Sequence, residues 1–387
     1  MKSDWVVKRL SDIAYFNPTE KLQKGTLAKK VAMDKLQPFC RDIPSIVVEP
    51  FSGGTKFRNG DTIMARITPC LENGKTAKVN VLSDNEVGFG STEYIVFRAK
   101  EGTDEDYLYY LVCSPLVRDP AIKSMVGSSG RQRVQTTVVE NIEIKVPSYA
   151  DQKKIGELLK KLDDKIALNN RVNNNLLQQM ESLYKAWFKD YIPFGGQCPS
   201  DWKKADIYSI ADIIYGAPFA SKLFNTDGNG LPIIRIRDLK EQVFVTYTTE
   251  QHPKGHLIKP GDIVVGMDGE FRPYIWGNTE AWLNQRVCIF DNKRPNGKAF
   301  VLFTIKPLLY QIEQTQVATT VIHIGKKDYD AFEFLLPDTD TLDQFDSITA
   351  PMIDQIVINC LENKKLAEMR DALLPRLMSG EMDVSDI

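Results

Sequence analysis

From residue 155 to residue 187, apolar side chains recur at intervals that alternate between four and three. They are Ile155, Leu159, Leu162, Ile166, Leu176, Met180, Leu183 and Trp187, with Asn169 and Asn173 at the two remaining positions. This alternation keeps one helical stripe apolar over many turns, as a coiled-coil seam requires. Pro147 precedes the run, and Pro193 with Gly195-Gly196 ends it. The pattern returns at Leu342, Phe345, Thr349, Met352, Ile356, Asn359, Asn363, Leu366, Arg370, Leu373 and Leu377. Pro351 falls near the first turns of this second run, where it bends a helix rather than forbidding it. The two seams match at a shift of 190 residues: Leu162 with Met352, Ile166 with Ile356, Leu176 with Leu366, Leu183 with Leu373. Their Asn pairs match too. A seam amide lowers stability but fixes register, so Asn169, Asn173, Asn359 and Asn363 are the expected register residues. Antiparallel pairing about a twofold axis brings all four together.

Outside these runs the periodicity changes. Strand-like stretches rich in β-branched residues cover Ile43 to Val48, Thr62 to Ile67, Glu93 to Arg98 and Asn141 to Val146. Asp106 to Val112 reads as a short helix that stops before Pro115. The second half repeats the outline. Trp5-Val6-Val7-Lys8-Arg9-Leu10-Ser11-Asp12-Ile13 returns as Trp202-Lys203-Lys204-Ala205-Asp206-Ile207-Tyr208-Ser209-Ile210-Ala211-Asp212-Ile213, and Gly60-Asp61-Thr62-Ile63-Met64 as Gly261-Asp262-Ile263-Val264-Val265. The expected fold is α+β: two similar mixed α/β domains, 1–150 and 191–340, joined by two long antiparallel coiled-coil helices in 151–190 and 341–387, with pseudo-twofold symmetry.

Composition narrows the class. The 387 residues are 43% hydrophobic, ordinary for a soluble globular chain. No stretch of about 18 apolar residues marks a membrane span, and Met1-Lys2-Ser3-Asp4-Trp5 lacks the apolar core of a signal peptide. Cys40, Cys70, Cys113, Cys198, Cys288 and Cys360 are scattered without a Cys-x-x-Cys pair. That spacing fits buried thiols in a reducing cytoplasm, not a disulfide frame or a zinc site. The net charge is −2, distributed as +3 over 1–150, +2 over 151–190, −2 over 191–340 and −5 over 341–387. A nucleic-acid surface therefore has to come from local clustering or from a basic partner.

The whole plan resembles the specificity (S) subunit of type I restriction–modification systems. The resemblance rests on Trp5 with Leu10-Ser11-Asp12-Ile13, on Leu231-Pro232-Ile233-Ile234-Arg235-Ile236-Arg237-Asp238-Leu239, and on Lys259-Pro260-Gly261-Asp262-Ile263-Val264-Val265. It rests also on Lys145-Val146-Pro147 followed by Asp151-Gln152-Lys153-Lys154-Ile155, and on Leu373-Leu374-Pro375-Arg376-Leu377-Met378-Ser379-Gly380-Glu381. The chain departs from the family pattern at Ser148, at Asp343-Gln344-Phe345-Asp346 and at Tyr215-Gly216-Ala217-Pro218, so the two halves have diverged. The resemblance implies two target-recognition domains, each reading one half of a split double-stranded DNA target. It implies docking of two methyltransferase (M) subunits, joined by restriction (R) subunits, and no membrane. It also implies no catalysis and no cofactor on this chain, with S-adenosylmethionine, Mg and ATP bound by the partners.

Base reading favours forked donors and amides. Gly127-Ser128-Ser129-Gly130-Arg131-Gln132-Arg133-Val134-Gln135 offers Arg131, Gln132, Arg133 and Gln135 on a Gly/Ser loop. Arg66 and Lys75 flank a second loop after a strand. In the second half the candidates are Arg235 and Arg237, placed on one face of a strand by alternation, and Arg272 and Tyr274 in the positional match of the Arg66–Lys75 loop. A solvated loop or a structural ion pair with Asp238 are the plain alternatives.

Catalytic patterns are weak. His252 and His256 sit on a loop with Pro253 and Gly255 and lack the carboxylates of a zinc site. Glu143-Ile144-Lys145 with Asp61 is at most a fragment of a nuclease motif. There is no P-loop and no methyltransferase Asn-Pro-Pro-Tyr-type motif beyond Asn17-Pro18-Thr19. A coiled-coil scaffold without DNA binding and a self-contained metal-dependent nuclease are the competing readings.

Overall fold

The computed structural model describes residues 5–128, 130–315 and 323–383. Of the segments singled out above, Met1 to Asp4, Ser129, residues 316–322 of the 191–340 domain and the last four residues of the 341–387 tail lie outside the described residues. The chain forms two compact units, Met1–Ala167 with Lys365–Ile387, and Leu168–Lys364.

The seams fold as two helices, Tyr149–Phe188 and Thr339–Met378, each of 40 residues and placed 190 positions apart. Each unit holds half of each helix. In the first unit Ile155 and Leu159 share a core with Leu373, Leu374, Leu377 and Met378. In the second, Met180, Tyr184 and Phe188 share one with Leu342, Phe345, Ile353 and Ile356. The start of one helix meets the end of the other in both units, so the pair runs antiparallel.

In the first unit, Val6–Arg9 pairs antiparallel with Glu143–Val146, next to the first long helix. A four-stranded antiparallel sheet runs Ala14–Phe16, Tyr94–Ala99, Thr62–Ala65, Thr76–Lys78. All four residues of Thr62–Ala65 are buried, because this strand is covered on both faces. A second sheet runs Val47–Pro50, Leu27–Val31, Gly88–Gly90, Thr55–Phe57, with one parallel pairing between Leu27–Val31 and Gly88–Gly90. Helix Glu105–Cys113 starts on Asp104, whose carboxylate accepts the Tyr107 amide at 2.9 Å. It ends at Ser114, and the next helix starts with Pro115, whose missing N–H costs nothing at a first helical position.

The second unit repeats this order. Lys203–Asp206 pairs with Glu333–Leu336. One sheet runs Ala211–Tyr215, Val287–Asn292, Ile263–Gly266, Pro273–Ile275. The other runs Phe224–Asn225, Tyr247–Thr248, Leu231–Ile234, Ala281–Leu283, Leu257–Ile258, again with one parallel pairing. Among the described residues no helix is long and apolar enough to cross a membrane.

Two expectations change. Of Ile43 to Val48 only the end is strand, as Val47–Pro50. Pro44 cannot donate to a ladder, and Ile43 serves instead as a core plug at 6% exposure. Arg235 and Arg237 are not on a strand. The strand stops at Ile234, and a 3-10 turn spans Ile236–Asp238. The Asp238 carboxylate takes the Arg235 amide at 3.0 Å and bends the chain there.

Gly216, in the turn that departs from the family pattern, is packed against backbone. A Cβ there would stand 2.0 Å from the Asn284 carbonyl oxygen. Gly216→Ala is expected to destabilise the second unit by about 1–3 kcal/mol or more through overpacking. An unchanged midpoint in denaturant unfolding would contradict this.

Candidate nucleic-acid interface

In the first unit, strand Thr62–Ala65 leads into a corner built from three distant segments. The Arg66 amide donates to the Glu93 carbonyl at 2.9 Å, and the Val134 amide to the Arg66 carbonyl at 2.8 Å. Ile67 bridges to Arg133, and the Gln132 amide donates to the Thr68 hydroxyl at 3.0 Å. Residues 132–134 therefore lie along residues 66–68. Gly127 has φ +138°, and a Cβ on it would reach the Arg131 carbonyl at 2.9 Å, so the loop's closure requires glycine.

Charge is concentrated at this corner. Arg133 Nε donates to both Glu93 oxygens at 3.0 Å, and Nη2 to one of them at 2.7 Å. Arg133 holds the Glu93 carboxyl below its ordinary range, against the opposing effect of burial. The Arg66 Nε stands 3.9 Å from the same carboxylate and is buried without a hydrogen-bond partner. Arg131 and Gln135 are exposed, and Gln132 is half-buried. Lys75 turns inward: its ammonium donates to the Met33 carbonyl at 3.0 Å. Its loop is closed by its own backbone, with Asn73 donating to Pro69 at 2.9 Å and Lys75 to Cys70 at 3.0 Å. Asn73 is left facing solvent.

The second unit builds the same corner. The Met267 amide donates to the Arg286 carbonyl at 2.9 Å, the Ile324 amide to the Met267 carbonyl at 2.9 Å, and Asp268 bridges to His323. The charges are arranged differently. Asp268 takes His323 Nδ1 at 2.6 Å and lies 3.8 Å from Arg286 Nε. The side chains of Arg286 and His323 are 55% and 57% exposed. Neither residue stands in a sequence motif. The signal for Arg286 is its place before strand Val287–Asn292, where Glu93 precedes Tyr94–Ala99.

The other second-half candidates divide. The Arg235 guanidinium binds the Thr246 hydroxyl and lies 5.9 Å from the Phe224 ring centroid. Burial raises the pKa of the neighbouring Asp238, which is 4% exposed. Arg237 is 63% exposed, with its Nε 3.7 Å from Asp238. Arg272 is paired with Glu313 through both Nη atoms, one at 3.0 Å. Tyr274 lies within strand Pro273–Ile275 and packs on the core of Ile234, Val264 and Trp276.

The four seam amides meet in two pairs. Asn169 Nδ2 donates to Asn363 Oδ1 at 2.8 Å, and Asn359 Nδ2 to Asn173 Oδ1 at 2.8 Å. Asn363 Nδ2 goes on to Asn170 Oδ1 at 2.9 Å, and Asn173 Nδ2 to Cys360 Sγ at 3.4 Å. Asn169, Asn173 and Asn359 are 3%, 7% and 5% exposed, so each mismatch in register would bury an unpaired amide.

Among the described residues no group of three or more His, Cys, Asp or Glu is placed to hold a metal ion. Asp61 is taken by Arg98 through two bonds of 2.7 Å. His252 Nδ1 accepts the Lys254 amide at 3.1 Å, and the ring packs on Phe219.

Comparison with known proteins places this arrangement. The family model described as the type I restriction modification DNA specificity domain matches residues 2–178 and again 199–368. The type I restriction enzyme MjaIX specificity subunit of Methanocaldococcus jannaschii is 24% identical over 316 residues, 74% of this chain and 71% of that protein. The HindI specificity subunit of Haemophilus influenzae is 21% identical over an alignment of 420 residues, 88% of this chain and 90% of the relative. The solved S subunit of a type I restriction-modification system from M. genitalium has a TM-score of 0.54 at 14% identity, covering 97% of this chain and 96% of that one. That likeness shows a shared fold. Two family matches, one in each half and together spanning both charged corners, settle the assignment: the chain belongs to the type I restriction modification DNA specificity family.

Proposed function

We propose that this DNA-specificity subunit, itself not an enzyme, reads a split target with one half assigned to each unit, while its long helices set the spacing. One observation carries this reading: the frame repeats but the corner charges do not. Both helices have 40 residues, and both corners share one backbone ladder. Arg66, Glu93 and Arg133 in one are replaced by Met267, Arg286 and His323 in the other. A shared frame suits common partners, and unlike corners suit unlike half-sites.

In this reading Arg66, Arg131, Gln132, Arg133 and Gln135 face one half-site, and Arg237, Arg286 and His323 the other. Lys75, Arg235, Arg272 and Tyr274, whose polar ends are engaged or whose rings are packed, support these surfaces. Arg133 remains suited to reading although Glu93 occupies its Nε edge. A guanidinium has five donors, so the Nη1–Nη2 edge stays open for the two acceptors of guanine. Two M subunits dock on the chain and R subunits join through them. Methyl transfer and cleavage, with S-adenosylmethionine, Mg and ATP, belong to those partners. The net charge of −2 makes retention on DNA depend on their basic surface. The complex acts in the cytoplasm.

A 40-residue helix is about 60 Å long, against half-sites roughly 34–36 Å apart on one duplex turn. Seven residues inserted into each helix, between Ala167 and Leu168 and between Lys364 and Lys365, are expected to lengthen the unread spacer of the methylated sequence. Mapping methylation in cells that express the complex reads this directly, and an unchanged spacer would refute the ruler.

A further inference from the structure

The segment Phe39–Asp42 in the first unit belongs to neither sheet, yet it ties the helix pair to the candidate interface. On the helix side, Arg370 Nη1 donates to Asp163 Oδ1 at 2.7 Å and to the Phe39 carbonyl at 3.2 Å. Arg41, 7% exposed, donates through Nη2 to Asp164 Oδ1 at 2.6 Å and through Nη1 to the Lys160 carbonyl at 3.4 Å. On the loop side, the Phe39 amide donates to the Gly74 carbonyl at 3.0 Å. The Phe39 ring occupies the space of a Cβ on Gly74, with its nearest carbon 2.6 Å from that point. The Arg118 guanidinium lies 5.2 Å from the ring centroid, and its Nη2 donates to the Glu72 carbonyl at 2.8 Å.

Phe39 itself has φ +53°, a conformation that is uncommon and unfavourable for a bulky side chain. Its residue surface is 55% exposed, so burial alone does not hold it there. Contacts on both sides over-determine it, from the helices through its carbonyl and from the loop through its amide and ring.

We propose that Phe39 is a positioning residue for DNA recognition by the first unit. It locks the loop Pro69–Gly74 to the helix pair, so that the corner beside it meets DNA already ordered. Ordering in advance removes part of the entropy loss on binding and sharpens discrimination. This inference rests on the reading of Arg66, Arg131, Gln132, Arg133 and Gln135 as DNA-facing.

The test uses the full chain with its methyltransferase subunits, and methylation of duplexes altered one base at a time in each half-site. Phe39→Leu is expected to reduce discrimination about tenfold, the order of one mispaired base contact, in one half-site alone. That half must be the one affected by the double variant Arg131→Ala/Arg133→Ala. Phe39→Tyr, which keeps the ring under Arg118 and over Gly74, should restore discrimination. If Phe39→Leu fails to fold, Arg118→Met, which removes the stacked cation and the Glu72 bond, is read in its place with the same expectation. Wild-type discrimination in Phe39→Leu, or an equal loss in both half-sites, overturns the proposal. If only the Phe39 variant is silent, the DNA-facing reading stands and the positioning role falls. If the double arginine variant is silent as well, the reading of that surface falls with it.

Discussion

Arg370→Ala is expected to cost the first unit about 3–5 kcal/mol, the loss typical when one partner of a buried ion pair is removed. The Arg370 side chain is 12% exposed and that of Asp163 7%. Asp163 accepts Arg370 on one oxygen and the Tyr110 hydroxyl on the other, at 2.7 and 2.6 Å. Without Arg370 the carboxylate keeps one neutral donor for a full charge. The Tyr110 phenol offers no relief by ionising, because burial and the adjoining carboxylate push its pKa up. The repeat supplies its own control. A shift of 190 places Met180 and Ile353 where Arg370 and Asp163 stand, and Phe303 follows Lys298 as Tyr110 follows Glu105. Glu105 and Lys298 correspond because they lie against Gly60 and Gly261 respectively. Met180, Ile353 and Phe303 are 0%, 2% and 4% exposed. The second unit thus fills with apolar groups the place where the first uses a charge network. The triple variant Tyr110→Phe, Asp163→Ile, Arg370→Met is expected to recover most of the loss, since apolar replacement of a buried pair is often neutral or stabilising. Chemical unfolding of wild type, single and triple variants decides it. A triple variant no more stable than Arg370→Ala would show that the two sites are not equivalent.

Features set by local spacing were legible in the sequence, and those set by distant partners were not. A helical seam is a local property, so its period and its Asn positions were legible from spacing, and the antiparallel sense followed from the twofold axis that the duplication implies. Strand ends were less so. Ile43 to Val48 has strand composition, but Pro44 breaks the ladder and only Val47–Pro50 pairs. Arg235-Ile236-Arg237 alternates like a strand, yet a single carboxylate at Asp238 diverts it into a turn. The site was harder still, because the partner that decides a charge lies far away in sequence. Glu313 takes Arg272 across 41 residues, and the Met33 carbonyl takes Lys75 across 42. Arg286 and His323 gain their meaning only beside Asp268. That is visible when the bridge between residues 268 and 323 is seen to match the one between residues 67 and 133.

Arg133→Ala is expected to weaken binding of the complex to its cognate site roughly 10- to 100-fold and to relax specificity at one base, the effect of losing a forked contact to guanine. Folding should be nearly unaffected. The Arg133 side chain is 45% exposed, and ion pairs in such positions are screened and add little to stability. Glu93→Gln separates the two duties of the pair. An amide keeps the shape but gives up the charge-assisted bonds at 2.7 and 3.0 Å. The guanidinium then gains freedom and the corner gains one net positive charge. Binding to unrelated duplex should strengthen, with a salt dependence steeper by about one phosphate contact. Discrimination between cognate and altered sites should fall, because the reading edge is no longer held in place. Titrations of both variants at several salt concentrations, against cognate and single-base-altered duplexes, distinguish this from a structural role. A structural pair predicts the reverse: a lower melting temperature for Arg133→Ala, with discrimination between sites unchanged.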